Sequence, residues 1–336
     1  MKEKISEVIQ KVLAQEMIRD ESVYLIGEEV AVYGGAYQCT AGLLEKFGSA
    51  RVIDTPISEI GFTGLAVGSA FMGLKPVCDF MSFSFALQAM DHIINSAAKT
   101  LYMSGGRIQC PIVFRGPNGY AAGVGAQHTQ DFSGFFASIP GLRVVMPHSA
   151  RDHAGLLRSA IRDPNPVIVL ENEMLYSQEK DFDESILDEN FLLPLDKAIV
   201  EVVGDAVTIV GLGITVGICL EAAEKILKQQ NIFVEVINLL AINPLDICTI
   251  EKSVSKTKRL LIVDYAWPEC GVASEISASI SSRLFGVLES PVYTLCSKKV
   301  PTPYAEELEK LMYPNAEDVA SSVHMLLAKM AYRNKE

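Results

Sequence analysis

Long uncharged runs, paired cysteines and basic clusters are all missing from this chain of 336 residues. No uncharged run reaches the roughly 18 residues that a membrane helix needs, which excludes an ordinary spanning segment. A net charge of −12 without a basic cluster argues against nucleic acid and against an anionic membrane, and leaves room for a basic protein partner. The seven cysteines, Cys39, Cys78, Cys110, Cys219, Cys248, Cys270 and Cys296, are scattered and odd in number, with no Cys-x-x-Cys pair. Neither a disulfide framework nor a thiolate metal site is indicated, and a reducing compartment fits. There is also no His-Glu-x-x-His, no Gly-x-Ser-x-Gly and no Asp/Asn ladder for calcium. Glu3, Glu7 and Glu16 stand among helically spaced apolar residues at the start, unlike a secretory signal or an acid-poor transit peptide. The expectation is a soluble, cytoplasmic protein, ahead of the mature form of an organellar one.

What is present is alternation. Short β-branched runs at Val23 to Ile26, Arg51 to Asp54, Pro76 to Phe80, Pro111 to Arg115, Leu142 to Met146 and Val167 to Leu170 alternate with longer amphipathic stretches. The first of these places Ile5, Val8, Ile9, Val12, Leu13 and Met17 on one face. Helices are also expected near Thr40 to Phe47, Glu59 to Met72, Phe85 to Met103, Asp131 to Ile139 and Ala150 to Arg162. From Asn172 to Pro194 the pattern dissolves into an acidic stretch that reads as a solvated linker. Alternation then resumes, with strands at Val207 to Val210, Phe233 to Asn238, Leu260 to Asp264 and Val292 to Leu295. The fold class is α/β in two domains, 1–180 and 197–332 joined by 181–196, each a mostly parallel sheet flanked by helices.

Glu59 is the only ionisable residue between Asp54 and Lys75. A lone carboxylate in an apolar setting must find a hydrogen-bonding partner or take up a proton, which makes it a candidate for proton chemistry. It equally suits the start of a helix, where the dipole favours an acid. Glu28 and Glu29 follow a strand, where α/β proteins meet ligands, although paired acids at a turn are usually solvated. The glycine-rich stretch from Arg115 to His128 leaves another strand end and delivers a histidine there, but lacks the Gly-Lys-Ser/Thr end of a phosphate loop. Met81, Phe85, Gln88, Met90 and His92 could line a pocket or simply pack a core. His148 and His153 read as surface residues. Gly211-Leu212-Gly213-Ile214-Thr215-Val216-Gly217 invites a dinucleotide reading, yet its third glycine falls one residue late and Glu235 sits within a strand.

Together, Gly27-Glu28-Glu29-Val30-Ala31, Asp54-Thr55-Pro56-Ile57-Ser58-Glu59, Asn95-Ser96-Ala97-Ala98-Lys99, Phe114-Arg115-Gly116-Pro117-Asn118-Gly119 and Gln127-His128-Thr129-Gln130 closely resemble the beta subunits of the thiamine-diphosphate-dependent 2-oxo acid dehydrogenases, of the transketolase-like group. The match continues through Glu235-Val236-Ile237-Asn238-Leu239 and Val300-Pro301-Thr302-Pro303-Tyr304, so it covers nearly the whole chain. The resemblance implies that Glu59 contacts the ring nitrogen of the cofactor's aminopyrimidine and favours the imino tautomer that deprotonates the thiazolium carbon. It implies that Ile57, Met81, Phe85 and Gln88 surround the pyrimidine, that Glu28 belongs to a proton path, and that His128 faces the substrate and the incoming lipoyl group. It further implies a potassium site, mostly of carbonyl oxygens, at Ile112, Ala160, Ile161, Asp163 and Asn165.

The Gly-Asp-Gly that marks Mg²⁺ and diphosphate binding in such enzymes is missing; Gly204-Asp205-Ala206 is the nearest approach. An alpha subunit is therefore expected to supply that half of the site in an α2β2 heterotetramer, and the basic domain of a dihydrolipoyl acetyltransferase core is expected to dock on the second domain near Glu289. The implied activity is oxidative decarboxylation of pyruvate with reductive acetylation of lipoyl groups. A branched-chain 2-oxo acid or acetoin enzyme, an NAD-binding oxidoreductase using the Gly211 turn, and a non-catalytic scaffold subunit remain the alternatives.

Overall fold

The structure, a computed structural model, describes residues 2–333. Seven strands form the first sheet, in the spatial order Val52–Asp54, Val23–Gly27, Lys75–Asp79, Val113–Pro117, Val167–Glu171, Arg143–Val145 and Ala241–Asn243. The first six run parallel, and the last pairs antiparallel with Arg143–Val145. The strands Val23–Gly27, Val113–Pro117 and Val167–Glu171 are buried along their whole length, as a sheet covered on both faces requires. Alternation sorts their side chains. Leu25, Val77, Val113 and Val169 meet the helices Ile5–Arg19 and Ala150–Arg162, whereas Ile26, Cys78, Phe114 and Ile168 meet Phe62, Ala66 and Phe83 on the other side.

The second sheet holds Tyr293–Leu295, Leu260–Val263, Thr208–Gly211, Glu235–Asn238 and Ile199–Val202, parallel except for that last edge strand. One face packs on the helices Thr215–Gln230 and Ala316–Arg333. Its opposite face contributes Val210, Ile237 and Ile262 to the same apolar cluster that holds Phe114 and Phe136 of the first sheet's side. The two halves thus share a core, and the strand Ala241–Asn243, beyond the acidic stretch, completes the first sheet.

That acidic stretch is not a solvated linker. Its start, Glu179–Asp181, pairs antiparallel with Lys2–Lys4, and Ile186 and Leu195 are buried. Arg158, itself fully buried, donates to the carbonyls of Phe191 at 2.7 Å and Ile186 at 3.4 Å, while Gln15 donates to Leu187 O at 2.8 Å. The acids dominate the composition there, but the apolar residues between them fix the path against the helix Ala150–Arg162.

His148 and His153 also differ from expectation: both are buried. His153 Nδ1 lies 2.9 Å from Ser149 O, and His148 packs where the second half approaches, close to Gly217. The expected helix from Phe85 to Met103 forms but is irregular, running through Phe83–Ala86, a 3₁₀ turn Leu87–Ala89, a π-helical stretch His92–Ala97 and Ala98–Met103. The π turn lays His92 over Gly64, where a Cβ would stand 2.8 Å from Nε2. The expected helix from Asp131 is shorter, Ser133–Ala137.

Candidate functional site

The chain leaves Val23–Gly27 to form Val52–Asp54 on one side, then returns to place Lys75–Asp79 on the other. The carboxyl ends of Val23–Gly27 and Lys75–Asp79 therefore flank a topological switch point, where open α/β sheets hold ligands. The approach is tight: a Cβ on Gly27 would collide with the carbonyl of Asp79, and one on Gly116 with that of Phe80. Past Gly27 the backbone turns sharply through Glu29, whose φ is 58°. Asp54 secures this turn by accepting from the amides of Ala31 at 2.6 Å and Val32 at 3.1 Å.

The turn buries Glu28 and leaves Glu29 exposed, so the pair is not uniformly solvated. Glu59 is the first residue of the helix Glu59–Phe71 and is only 3% exposed. Glu59 Oε2 and Glu28 Oε1 are both buried without a protein partner. Burial raises the Glu28 carboxyl above its ordinary range, the neighbouring Glu59 carboxylate pushes it the same way, and the Ser58 amide partly offsets both. Two neighbouring buried acids, each with one oxygen free of protein donors, are the kind of arrangement that suits proton transfer.

The surroundings are apolar. Ile57 is 86% exposed beside Glu59, Met81 and Phe85 are half-buried, and Gln88 is exposed on the turn against which the Glu59 helix packs. Met81 shares a small cavity with Glu28. His128, exposed on the glycine loop, meets Phe85 edge-on with ring centroids 5.4 Å apart. The structure thus brings Glu28, Glu59, Ile57, Met81, Phe85, Gln88 and His128 to one end of the first sheet.

Ile112, Ala160, Ile161, Asp163 and Asn165 lie elsewhere, where the helix Ala150–Arg162 ends before Pro164. The Asp163 carboxylate is turned toward Arg143 at 3.1 Å and accepts from Asn165, so the donors left to a cation there are carbonyl oxygens. Glu289 lies in the second half, paired with Arg259 and 3.2 Å from Lys258 Nζ. The Gly211 turn is packed rather than open: Gly213 abuts Met146, Gly217 abuts His148, and the cavity beside the turn is only about 10 Å³. Glu235 is ion-paired with Lys256.

The ion network of Arg115, Asp79, Glu171 and Tyr176 escaped the sequence reading. Arg115, only 2% exposed, bonds Asp79 and is bidentate to Glu171 at 2.6 and 3.1 Å, and Tyr176 donates to the same Glu171. A signal existed: Asp79, Arg115 and Glu171 each stand at or near the end of one of three adjacent strands, and ions in so apolar a setting must pair.

Deeper, between the halves, the Asp264 carboxyl is pushed up to about 7, by burial first and by Asp131 second. Between about pH 4 and about 7 the folded chain holds a proton there that the unfolded chain releases, so stability falls as pH rises through that window. Asp264→Asn should flatten this slope in thermal melts across it; an unchanged slope would remove the pair as its source.

Residues 2–178 match the family "Transketolase, pyrimidine binding domain" and residues 182–319 "Transketolase, C-terminal domain". The chain is 53% identical over 319 residues to the pyruvate dehydrogenase E1 component subunit beta of Rickettsia bellii, covering 95% of this chain and 97% of that one. It is 51% identical over 331 residues to the mitochondrial subunit beta-1 of the same component from Arabidopsis thaliana, covering 98% and 90%. A solved "Split gene transketolase, inactive beta4 tetramer" superposes with a TM-score of 0.78 at 21% identity, covering 97% of this chain and 98% of its own. That last likeness concerns the fold.

Proposed function

The chain belongs to the family of pyruvate dehydrogenase E1 component beta subunits, and from this premise we propose that Glu59 and Glu28 form the pyrimidine half of a thiamine diphosphate site completed by an alpha subunit. The protein is the beta subunit of an enzyme that oxidatively decarboxylates pyruvate, within an E1 assembly. The observation that carries the site assignment is the buried, unpartnered Oε2 of Glu59 at the switch point of the first sheet. An orphaned carboxylate oxygen in an apolar setting fits a ligand that brings its own ring nitrogen to share a proton.

When bound, thiamine diphosphate supplies the carbon nucleophile and the electron sink for loss of carbon dioxide. Glu59 Oε2 would share a proton with the pyrimidine nitrogen, and apolar neighbours would keep competing water away. Ile57, Met81, Phe85 and Gln88 are the residues that would hold the pyrimidine. Glu28, whose carboxyl burial and the neighbouring Glu59 raise above the usual range, is suited to pass a proton along this path. His128 faces the acyl acceptor, a lipoyl group.

Mg²⁺ and the diphosphate fall to the alpha subunit, because this sequence lacks Gly-Asp-Gly. A potassium ion suits the carbonyls around Ala160 and Ile161, since a carbonyl oxygen at a helix end has lone-pair capacity that a hard cation can use even where, as at Ala160, it accepts one amide. The acetyltransferase core's basic domain is assigned to the second half near Glu289, a residue it would share with Lys258 and Arg259.

The test is reconstitution. This chain alone should release no carbon dioxide from pyruvate, and should do so once co-expressed with a chain carrying Gly-Asp-Gly. Preference for a branched-chain 2-oxo acid over pyruvate in that assembly would overturn the substrate, and turnover by the chain alone would overturn the shared site.

A further inference from the structure

The loop that carries His128 is held at both ends by its own half of the molecule. Asn118 Nδ2 donates to Asp131 Oδ2 at 3.0 Å, the Phe132 amide donates to Asn118 Oδ1 at 2.9 Å, and the Gly119 amide donates to Gln130 O at 3.1 Å. Its middle, by contrast, rests on the second half. The Gly123 amide points at the carboxylate of Glu309, at 3.1 Å from Oε1 and 3.3 Å from Oε2. Gly125 lies under the ring of Tyr304, close enough that a Cβ would sit 3.6 Å from Cδ2. The ring of Tyr120 packs on Tyr313 at 4.5 Å and edge-on to Tyr265 at 5.7 Å, and the Tyr313 hydroxyl bonds Thr302 at 3.1 Å. Thr129, next to His128, closes back on Gly125 O at 2.9 Å.

Glu309 is 3% exposed although it ends the short helix Glu306–Glu309, whose other acids are exposed. Burying a carboxylate is costly, and a charge-assisted bond to a backbone amide is one of the stronger ways to offset it. A glycine-rich loop is otherwise entropically free, since glycine has more backbone freedom to lose than any other residue. One fixed amide in the middle of such a loop, with an aromatic wall on either side, restricts where the histidine at its far end can go.

We propose that Glu309 is a positioning residue that anchors the glycine loop at Gly123 and so sets His128 against Phe85, facing the acyl acceptor. The second half of the chain then serves acyl transfer, although none of its described residues lines the pyrimidine pocket described above. This inference rests on the reading of His128 as the residue that meets the acceptor, and deepens it.

The experiment uses the reconstituted α/β assembly with Glu309→Ala, Glu309→Gln and His128→Asn. Each is assayed for pyruvate decarboxylation with an artificial electron-accepting dye and for acyl transfer to an isolated lipoyl domain. Misplacement of a reacting group costs rate steeply, so Glu309→Ala should lower acyl transfer by about tenfold more than it lowers dye-linked turnover, mainly through KM for the lipoyl domain. Glu309→Gln, whose amide oxygen still accepts from Gly123, should recover most of that loss, and His128→Asn should reproduce it. Equal losses in both assays would make Glu309 merely structural and overturn the proposal. So would full acyl transfer in Glu309→Ala beside impaired His128→Asn. Full acyl transfer in His128→Asn overturns the reading of His128 itself, and the inference falls with it.

Discussion

Glu59→Gln, assembled with an alpha subunit, is expected to lose pyruvate turnover by about a hundredfold or more, the range typical of a displaced acid–base group. The loss should fall on kcat and leave assembly intact. Gln keeps the shape of the side chain but cannot move a proton as a carboxylate does. Glu59 is buried beside Glu28 with Oε2 unpartnered, so the neutral amide removes a carboxylate from an apolar setting and eases the crowding of two acids. Thermal stability should therefore hold or rise while activity collapses, the signature of a residue retained for chemistry at some cost to the fold. Steady-state decarboxylation and a melting curve on the same preparation check both halves. Retained turnover would leave the non-catalytic scaffold reading standing.

Arg115→Met has the opposite expected profile. It removes the one guanidinium bonded to Asp79 and Glu171 and leaves two carboxylates beneath the ends of three central strands. Stranding a buried charge in this way costs about 3–5 kcal/mol, so urea or thermal unfolding should show a large loss or no folded chain at all. The pH dependence gives the mechanism away. Burial already pushes the Asp79 carboxyl up to about 6 despite Arg115. Without Arg115 to hold it down this carboxyl rises further in the folded variant, so the deficit should shrink as pH falls toward about 6 and level off below it, where the group is protonated in both proteins. A deficit that is flat with pH would mean that lost packing, and not the stranded carboxylates, causes it.

How much of this was legible beforehand follows from which forces act locally. The strand at Val23–Gly27 and the helix starting at Glu59 follow from β-branched runs, helical spacing and an acid at a helix start, all set within a few residues of chain. Local spacing failed where a distant contact overrode it. His92 rides on Gly64 at the start of a π-helical stretch inside the long helix that the apolar periodicity suggested. The acidic stretch after Asn172 looked solvated because its charges outnumber its apolar residues, yet Leu175, Tyr176, Ile186 and, just past it, Leu195 find the core.

The sequence by itself determined the alternation of strands and helices, the isolation of Glu59, and the absence of Gly-Asp-Gly. These are properties of residue type and spacing, and no folding is needed to count them. Only the tertiary structure decided that Arg115 would neutralise acids 36 and 56 residues away, and that Glu309 would hold a loop 186 residues earlier in the chain. Such partners are chosen by which strand ends and loops the sheet order brings side by side. Burial then makes the pairing obligatory, because an ion far from water must find its counterpart wherever the chain has put it.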